Sequence, residues 1–195
     1  MALHILSDAT DNTAAVIESL PEGGPADWRY HEGKPLQGEF PRGASVQFSC
    51  NHPDLRELRD FIPNPLSVLI VSGRVRAILE QAKANACEFL PIKVINHAGG
   101  VAADDYAILN PLGGLPVIDL KRTAHTMDAM EKDQIDDITS LVTDPGVVPV
   151  DRLIFRASLK RRLFFIQDTL RTLFENHGVT GWRTWPTEGW DGLYI

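Results

Sequence analysis

The sequence predicts an α+β fold, a single domain in which a mixed β-sheet carries a few packed amphipathic helices. Three observations predict it. A β-branched and leucine run ending at Val71 leads through a serine into a helix-spaced apolar stripe; a second unit of the same kind closes the chain; and short strand-like runs broken by turn residues fill the space between them. With 195 residues, 44% hydrophobic and 23% charged, the chain is long enough for one domain with a substantial core. We divide it into an irregular N-terminal part, residues 1–50, and a main α+β body, residues 51–195.

The N-terminal part begins with a short apolar segment and a predicted helix over 14–20, followed by the loop-like Pro21-Glu22-Gly23-Gly24-Pro25. "DWRYHEGKPLQGEFPRG" is too broken by glycine and proline for a helix and suits a loop with short extended pieces. Residues 44–50 alternate apolar and polar and predict a strand. Asn51 then caps a brief helix with Leu55, Leu58 and Phe61-Ile62 on one face, which Pro63 and Pro65 stop.

The clearest unit follows. Residues 66–71 form a buried strand, Ser72 an N-cap, and Val75, Ile78, Leu79 and Ala82 one apolar stripe of a helix over 73–84. Residues 87–94 return as a strand. "HAGGVAADDYAILNPLGG", residues 97–114, has glycine pairs but no phosphate-loop spacing, and Asp104-Asp105 would repel a phosphate; it reads as a β-hairpin arm. Further strands are expected at 116–120, 138–143, 152–156 and 162–166. The closing unit has a strand at 163–166, Asp168 as cap, and Leu170, Leu173 and Phe174 as the stripe of a helix over 169–177, with Gly178 at the left-handed C′ position. At an offset of 95 it lies on the first unit without a gap, Val75 on Leu170, Leu79 on Phe174 and Pro91 on Pro186, so two similar strand-helix-strand halves are predicted.

The search for chemistry returns little. There is no nucleophile elbow, and the six histidines, His4, His31, His52, His97, His125 and His177, show no metal-ligand spacing. Cys50 and Cys87 encode neither a disulfide framework nor a CxxC site. No metal and no cofactor are therefore expected. The net charge of −7 disfavours nucleic-acid or anionic-membrane partners and favours a basic one. No apolar run reaches membrane length and the start lacks a signal peptide, so a cytoplasmic protein is expected. Candidate partner-binding residues are the carboxylates of Asp104, Asp105, Glu131, Asp133, Asp136 and Asp137, read alternatively as a solvated face, and the C-terminal aromatics Trp182, Trp185, Trp190 and Tyr194, read alternatively as cover for the core edge. Trp182 and Trp185 differ in parity, so in a strand they point to opposite faces.

The segments "LRDFIPNPLSVLIVSGRVRAILEQ", "CEFLPIKV", "YAILNPLGGLPVIDL" and "LIFRASLKRRLFFIQDTLRTLFENHGVTGWRTWP", in this order and spacing and preceded by "DWRYHEGKPL", resemble the bacterial immunity-protein family numbered eleven of polymorphic toxin systems. That family has a serine shortly after the aspartate matched by Asp119; here Lys121-Arg122-Thr123 stands instead. The resemblance implies an intracellular protein of a toxin producer that binds a cognate toxin domain, such as a basic nuclease, and neutralises it without chemistry. It makes residues 97–114 the linker and strand between the halves. The alternative is an enzyme whose site uses Asp104, Asp105 and the 131–137 carboxylates, with a divalent metal.

Overall fold

Both strand-helix-strand units form. The computed structural model describes residues 2–193, so Tyr194 lies outside the described residues. In chain order the strands are β1 (Leu3–Asp8), β2 (Ser45–Gln47), β3 (Phe61–Ile62), β4 (Leu69–Val71), β5 (Cys87–Ile95), β6 (Val101–Pro111), β7 (Gly114–Leu115), β8 (Ala124–Met127), β9 (Ile135–Ser140), β10 (Ile154–Ala157), β11 (Phe164–Gln167) and β12 (Trp182–Pro186). The helices are α1 (Gly73–Gln81) and α2 (Asp168–Asn176), with a 3₁₀ turn at Asp27–His31. The fold is α+β, as predicted, but it has two mixed sheets rather than one. The first has the order β12-β1-β11-β10-β7 and the second β2-β5-β6-β4-β3, while β8 and β9 pair only with each other.

The offset of 95 holds at the level of single hydrogen-bonded pairs. In the second sheet β4 and β5 flank an antiparallel β6, with Leu69 opposite Leu109 and Phe89 opposite the same Leu109. In the first, β11 and β12 flank an antiparallel β1, with Phe164 and Thr184 both opposite Leu6. The β3 and β10 strands occupy the same place beside β4 and β11. Both helices end alike. Val179 N–H donates to the Phe174 carbonyl (2.9 Å) and Gly178 N–H to Glu175 (3.0 Å), and in α1 Ala84 donates to Leu79 (2.9 Å) and Lys83 to Glu80 (3.1 Å), the two-bond closure of a Schellman motif. Gly178 adopts the left-handed φ of 58° expected of it, and Lys83 takes the equivalent φ of 55°.

This matching reveals an exchange that no local pattern announces. The strand in the middle of each flanking pair comes from the other half: β1, between β11 and β12, precedes the first half's β3-β4-α1-β5 in sequence yet sits in the first sheet, and β6, between β4 and β5, leads the second half yet sits in the second sheet. The chain is a tandem pair of β-connection-β-β-α-β units that have swapped their leading strands. One face of each sheet and both helices share a core containing Leu6, Phe61, Val75, Leu79, Leu109, Phe164, Leu170 and Phe174. The outer face of the second sheet is covered by the connection over 9–60 (Ile17, Tyr30, Leu36, Phe48), and that of the first by the connection over 112–153 (Val117, Ile138, Leu141, Val148).

Several local expectations are corrected. Residues 14–20 are extended, because the Asp11 carboxylate takes the N–H groups of Thr13 and Ala14 and the chain is then tied by Ala15 to Glu57 and Ile17 to Pro63. No helix follows Asn51, since Arg56 and Glu57 donate to the Thr13 carbonyl and Phe61-Ile62 join a sheet. Ser72 caps α1 as predicted, accepting from Val75 N–H, but the α2 cap position is Gln167 without a side-chain bond. Asp168 is instead the first helical residue, its Oδ1 bound by His4 (3.0 Å) and Arg171 (3.0 Å). The 116–120 strand shrinks to a bridge between Ile118 and Thr143.

Leu79 and Phe174 are 1% and 0% exposed, so Leu79→Ala and Phe174→Ala should each cost on the order of 2 to 5 kcal/mol, read as a lower urea midpoint. The strand exchange makes a second prediction. Cutting the chain in the turn at 96–100 leaves each fragment with a sheet lacking its middle strand; each alone should show no cooperative unfolding transition, and mixing the two should restore it.

Candidate functional site

The 3₁₀ turn Asp27–His31 stands on a buried cation. Arg156, 1% exposed, donates from Nε to Pro111 O (3.0 Å), from Nη1 to His31 O (3.2 Å) and Arg161 O (2.9 Å), and from Nη2 to Tyr30 O (3.4 Å) and Asn110 Oδ1 (3.0 Å). Its guanidinium carbon lies 4.9 Å from the Phe164 ring centre, a cation-π contact. No carboxylate touches it among the described residues. Asn110 relays instead to Glu88, donating to Oε2 (2.9 Å), and Glu88 accepts the N–H groups of Leu36 and Gln37 (both 3.0 Å). Burial lowers the Arg156 pKa to about 10, so the side chain remains charged at neutral pH, held by carbonyl dipoles and the Phe164 ring rather than by a carboxylate.

Above this support a groove of about 550 Å³ runs between the 3₁₀ turn and the β8-β9 hairpin, lined by Trp28, His31, Glu32, Asp128, Glu131, Asp136 and the basic run 160–162 among others. Trp28 is 61% exposed. The Arg29 guanidinium lies 5.6 Å from its ring centre and is itself tied to Glu32 (2.7 Å) and to Glu39. His31 lines the same groove, but its Nδ1 is buried and has no hydrogen-bond partner among the described residues. Burial, then the charges of Arg162 and Arg156, push its pKa down to about 4.

The structure divides the predicted residues among three places. Asp104 and Asp105 are exposed on β6 of the second sheet, not in a turn, and Asp105 lies against Gly73 at the start of α1, where a Cβ would come within 3.0 Å of its Oδ2. Glu131 and Asp133 share Arg161 (3.2 and 2.7 Å) at the hairpin loop, and Asp136 and Asp137 lie exposed on β9. The tryptophans follow the parity argument. Trp182 packs into the core between the sheets, edge-on to Phe174 (5.3 Å) with Nε1 donating to Val179 O (2.8 Å), and Trp185 packs against the outer core under the Arg183 guanidinium (4.6 Å). Trp190 is 8% exposed; its indole N–H donates to Leu193 O and its carbonyl accepts from Leu141 N–H.

Sequence reasoning missed two residues. Trp28 was passed over inside a loop, although a tryptophan among glycines and prolines has no periodic face to bury it. Arg156 interrupts the apolar run Leu153-Ile154-Phe155 within an expected strand, the one signal that a cation is placed inside. Elsewhere a second buried group, Asp8, is raised to about 6 by burial, against the N–H of Asn64 and the charge of Arg183. No group of three His, Cys, Asp or Glu side chains is arranged to hold a metal among the described residues, and no helix there is long and apolar enough to cross a membrane.

Residues 7–188 match the model of the Immunity protein family (Imm11), and the chain belongs to that family. It is thus an immunity protein, of a class that neutralises toxins. No curated protein matches it.

Two outcomes are expected of the groove's support. Arg156→Met keeps the volume but strands five acceptors, and should lower stability by about 3 kcal/mol or more in urea unfolding. The His31 pKa is lower folded than unfolded, so its contribution is present above about pH 6.5 and is lost as pH falls toward about 4. Asp8, raised on folding, acts in the opposite sense, favouring the folded state below its unfolded value of 3.8 and losing that contribution as pH rises to about 6. The His31 effect is therefore read as the difference between the parent and His31→Gln, the variant losing less stability between pH 6.5 and 4.

Proposed function

We propose that this protein neutralises one cognate toxin domain by stoichiometric binding, without chemistry, and that the toxin is basic, as a nuclease would be. The observation that carries this reading is membership of an immunity family across residues 7–188 in a chain of net charge −7. A negative field speeds encounter with a basic partner and suppresses wrong ones. Asp104, Asp105 and the hairpin carboxylates Glu131, Asp133, Asp136 and Asp137 supply much of that field from two sides of the molecule. The half-buried Trp182 and Trp185 are proposed as edge contacts. The reading is further supported by the perturbed groups: burial raises Asp8 against the charge of Arg183, and burial with the charges of Arg162 and Arg156 lowers His31, so neither shift comes from a partner carboxylate poised for proton transfer.

Co-expression tests it. The toxin domain encoded beside this gene should arrest growth alone, and this protein should restore growth and co-purify with it at a fixed ratio. Purified protein should carry far less than one equivalent of zinc or manganese by elemental analysis. Catalytic loss of toxin with no complex formed, or a full metal equivalent, would favour the carboxylate-based enzyme instead.

A further inference from the structure

The duplicated scaffold separates what holds the molecule up from what it offers to others. Of the eight large apolar side chains that are exposed among the described residues, six (Trp28, Leu120, Met127, Met130, Val147 and Val150) lie in the two connections over 9–60 and 112–153; only Val101 and Leu193 lie elsewhere. The repeated strands and helices bury their apolar residues, as a scaffold must. Exposed tryptophan and methionine are costly in water and are the residue types enriched at interface centres.

The two connections face one another across the groove between the 3₁₀ turn and the β8-β9 hairpin. Trp28, 61% exposed, lines one wall, and Met130, 93% exposed, stands beside Glu131 of the other. The hairpin belongs to neither large sheet. Over residues 124–140 it carries five carboxylates against the single Lys132. The groove's own cations are mostly occupied: Lys160 Nζ donates to the carbonyls of Ile135 and Asp136, and Arg161 is taken by Glu131 and Asp133. Arg162 is the exception; it lines the groove together with Asp128 and Asp136, and neither carboxylate has an ion-pair partner among the described residues.

We infer that this groove is the docking surface, and that its occupant is a lysine- or arginine-bearing loop of the cognate toxin domain. Trp28 and Met130 would close on the loop's apolar side chain, and Asp128 and Asp136 on its cations. The β6 pair Asp104 and Asp105 lies outside the contact and contributes only to the field. This inference rests on the immunity reading and assigns it a place.

The experiment measures binding of the purified toxin domain to immobilised parent and variants at two salt concentrations. Trp28→Ala combined with Met130→Ala should dissociate at least tenfold faster, with an unfolding midpoint like the parent's because both side chains are exposed. Asp136→Lys should slow association more than Asp104→Lys with Asp105→Lys does, the difference shrinking at high salt. The β6 pair should leave dissociation unchanged. If the tryptophan-methionine variant dissociates as the parent does, or if the β6 pair alone accelerates dissociation, the groove is not the docking surface, although parent binding would keep the immunity reading. A change in the self-association of the isolated protein, in place of toxin binding, would make the groove a contact between copies and overturn the inference. A parent that fails to bind the toxin overturns both readings.

Discussion

Arg156 is the constraint on which the rest depends. A guanidinium that is 1% exposed and has no carboxylate beside it can be kept charged only by carbonyl oxygens aimed at it from several directions. Those oxygens come from β6, from the 3₁₀ turn and from the segment after β10, together with the Asn110 side chain. Satisfying the one cation therefore fixes the first sheet, the second sheet and the first connection relative to one another. Gly33, at φ 67°, brings its backbone so near that a Cβ would lie 3.1 Å from Arg156 Cδ, and its carbonyl takes the Gly113 N–H at 2.7 Å. The wall that carries Trp28 is in this sense an outgrowth of a hydrogen-bond requirement in the interior.

The helical units were legible because each is built from local physics. Ser72 offers its hydroxyl to Val75 N–H, the apolar residues recur at helical spacing, and Gly178 takes the conformation that only glycine adopts freely. The same signals, laid at an offset of 95, exposed the duplication. What they could not express was the exchange of leading strands, because the partners of β1 lie far along the chain, and nothing in a run such as Leu3-His4-Ile5-Leu6 names Phe164 or Thr184 as its neighbour.

The connections were the least legible part, for a related reason. Residues 14–17 have a helix-like composition, yet the Asp11 carboxylate and the carbonyls of Glu57 and Pro63 hold them extended. The carboxylates of 131–137 could be placed at the surface from their polarity, while their pairing with Arg161 and their position opposite Trp28 came from tertiary packing. Trp182 and Trp185 show the converse: parity sent them to opposite faces correctly, but how far each sinks depends on Phe174 and on the Arg183 guanidinium.

The exchange of leading strands also sets the order in which the molecule can come into being. On the ribosome β1 emerges among the first residues, whereas its two neighbours, β11 and β12, span Phe164–Gln167 and Trp182–Pro186. The first sheet cannot close until β12 has been made, and the second must wait for β6 before its own middle is filled. A chain stopped between β6 and β12 therefore has every strand of its second sheet and an open first one. The two sheets are completed in turn, and the core they share closes only with β12.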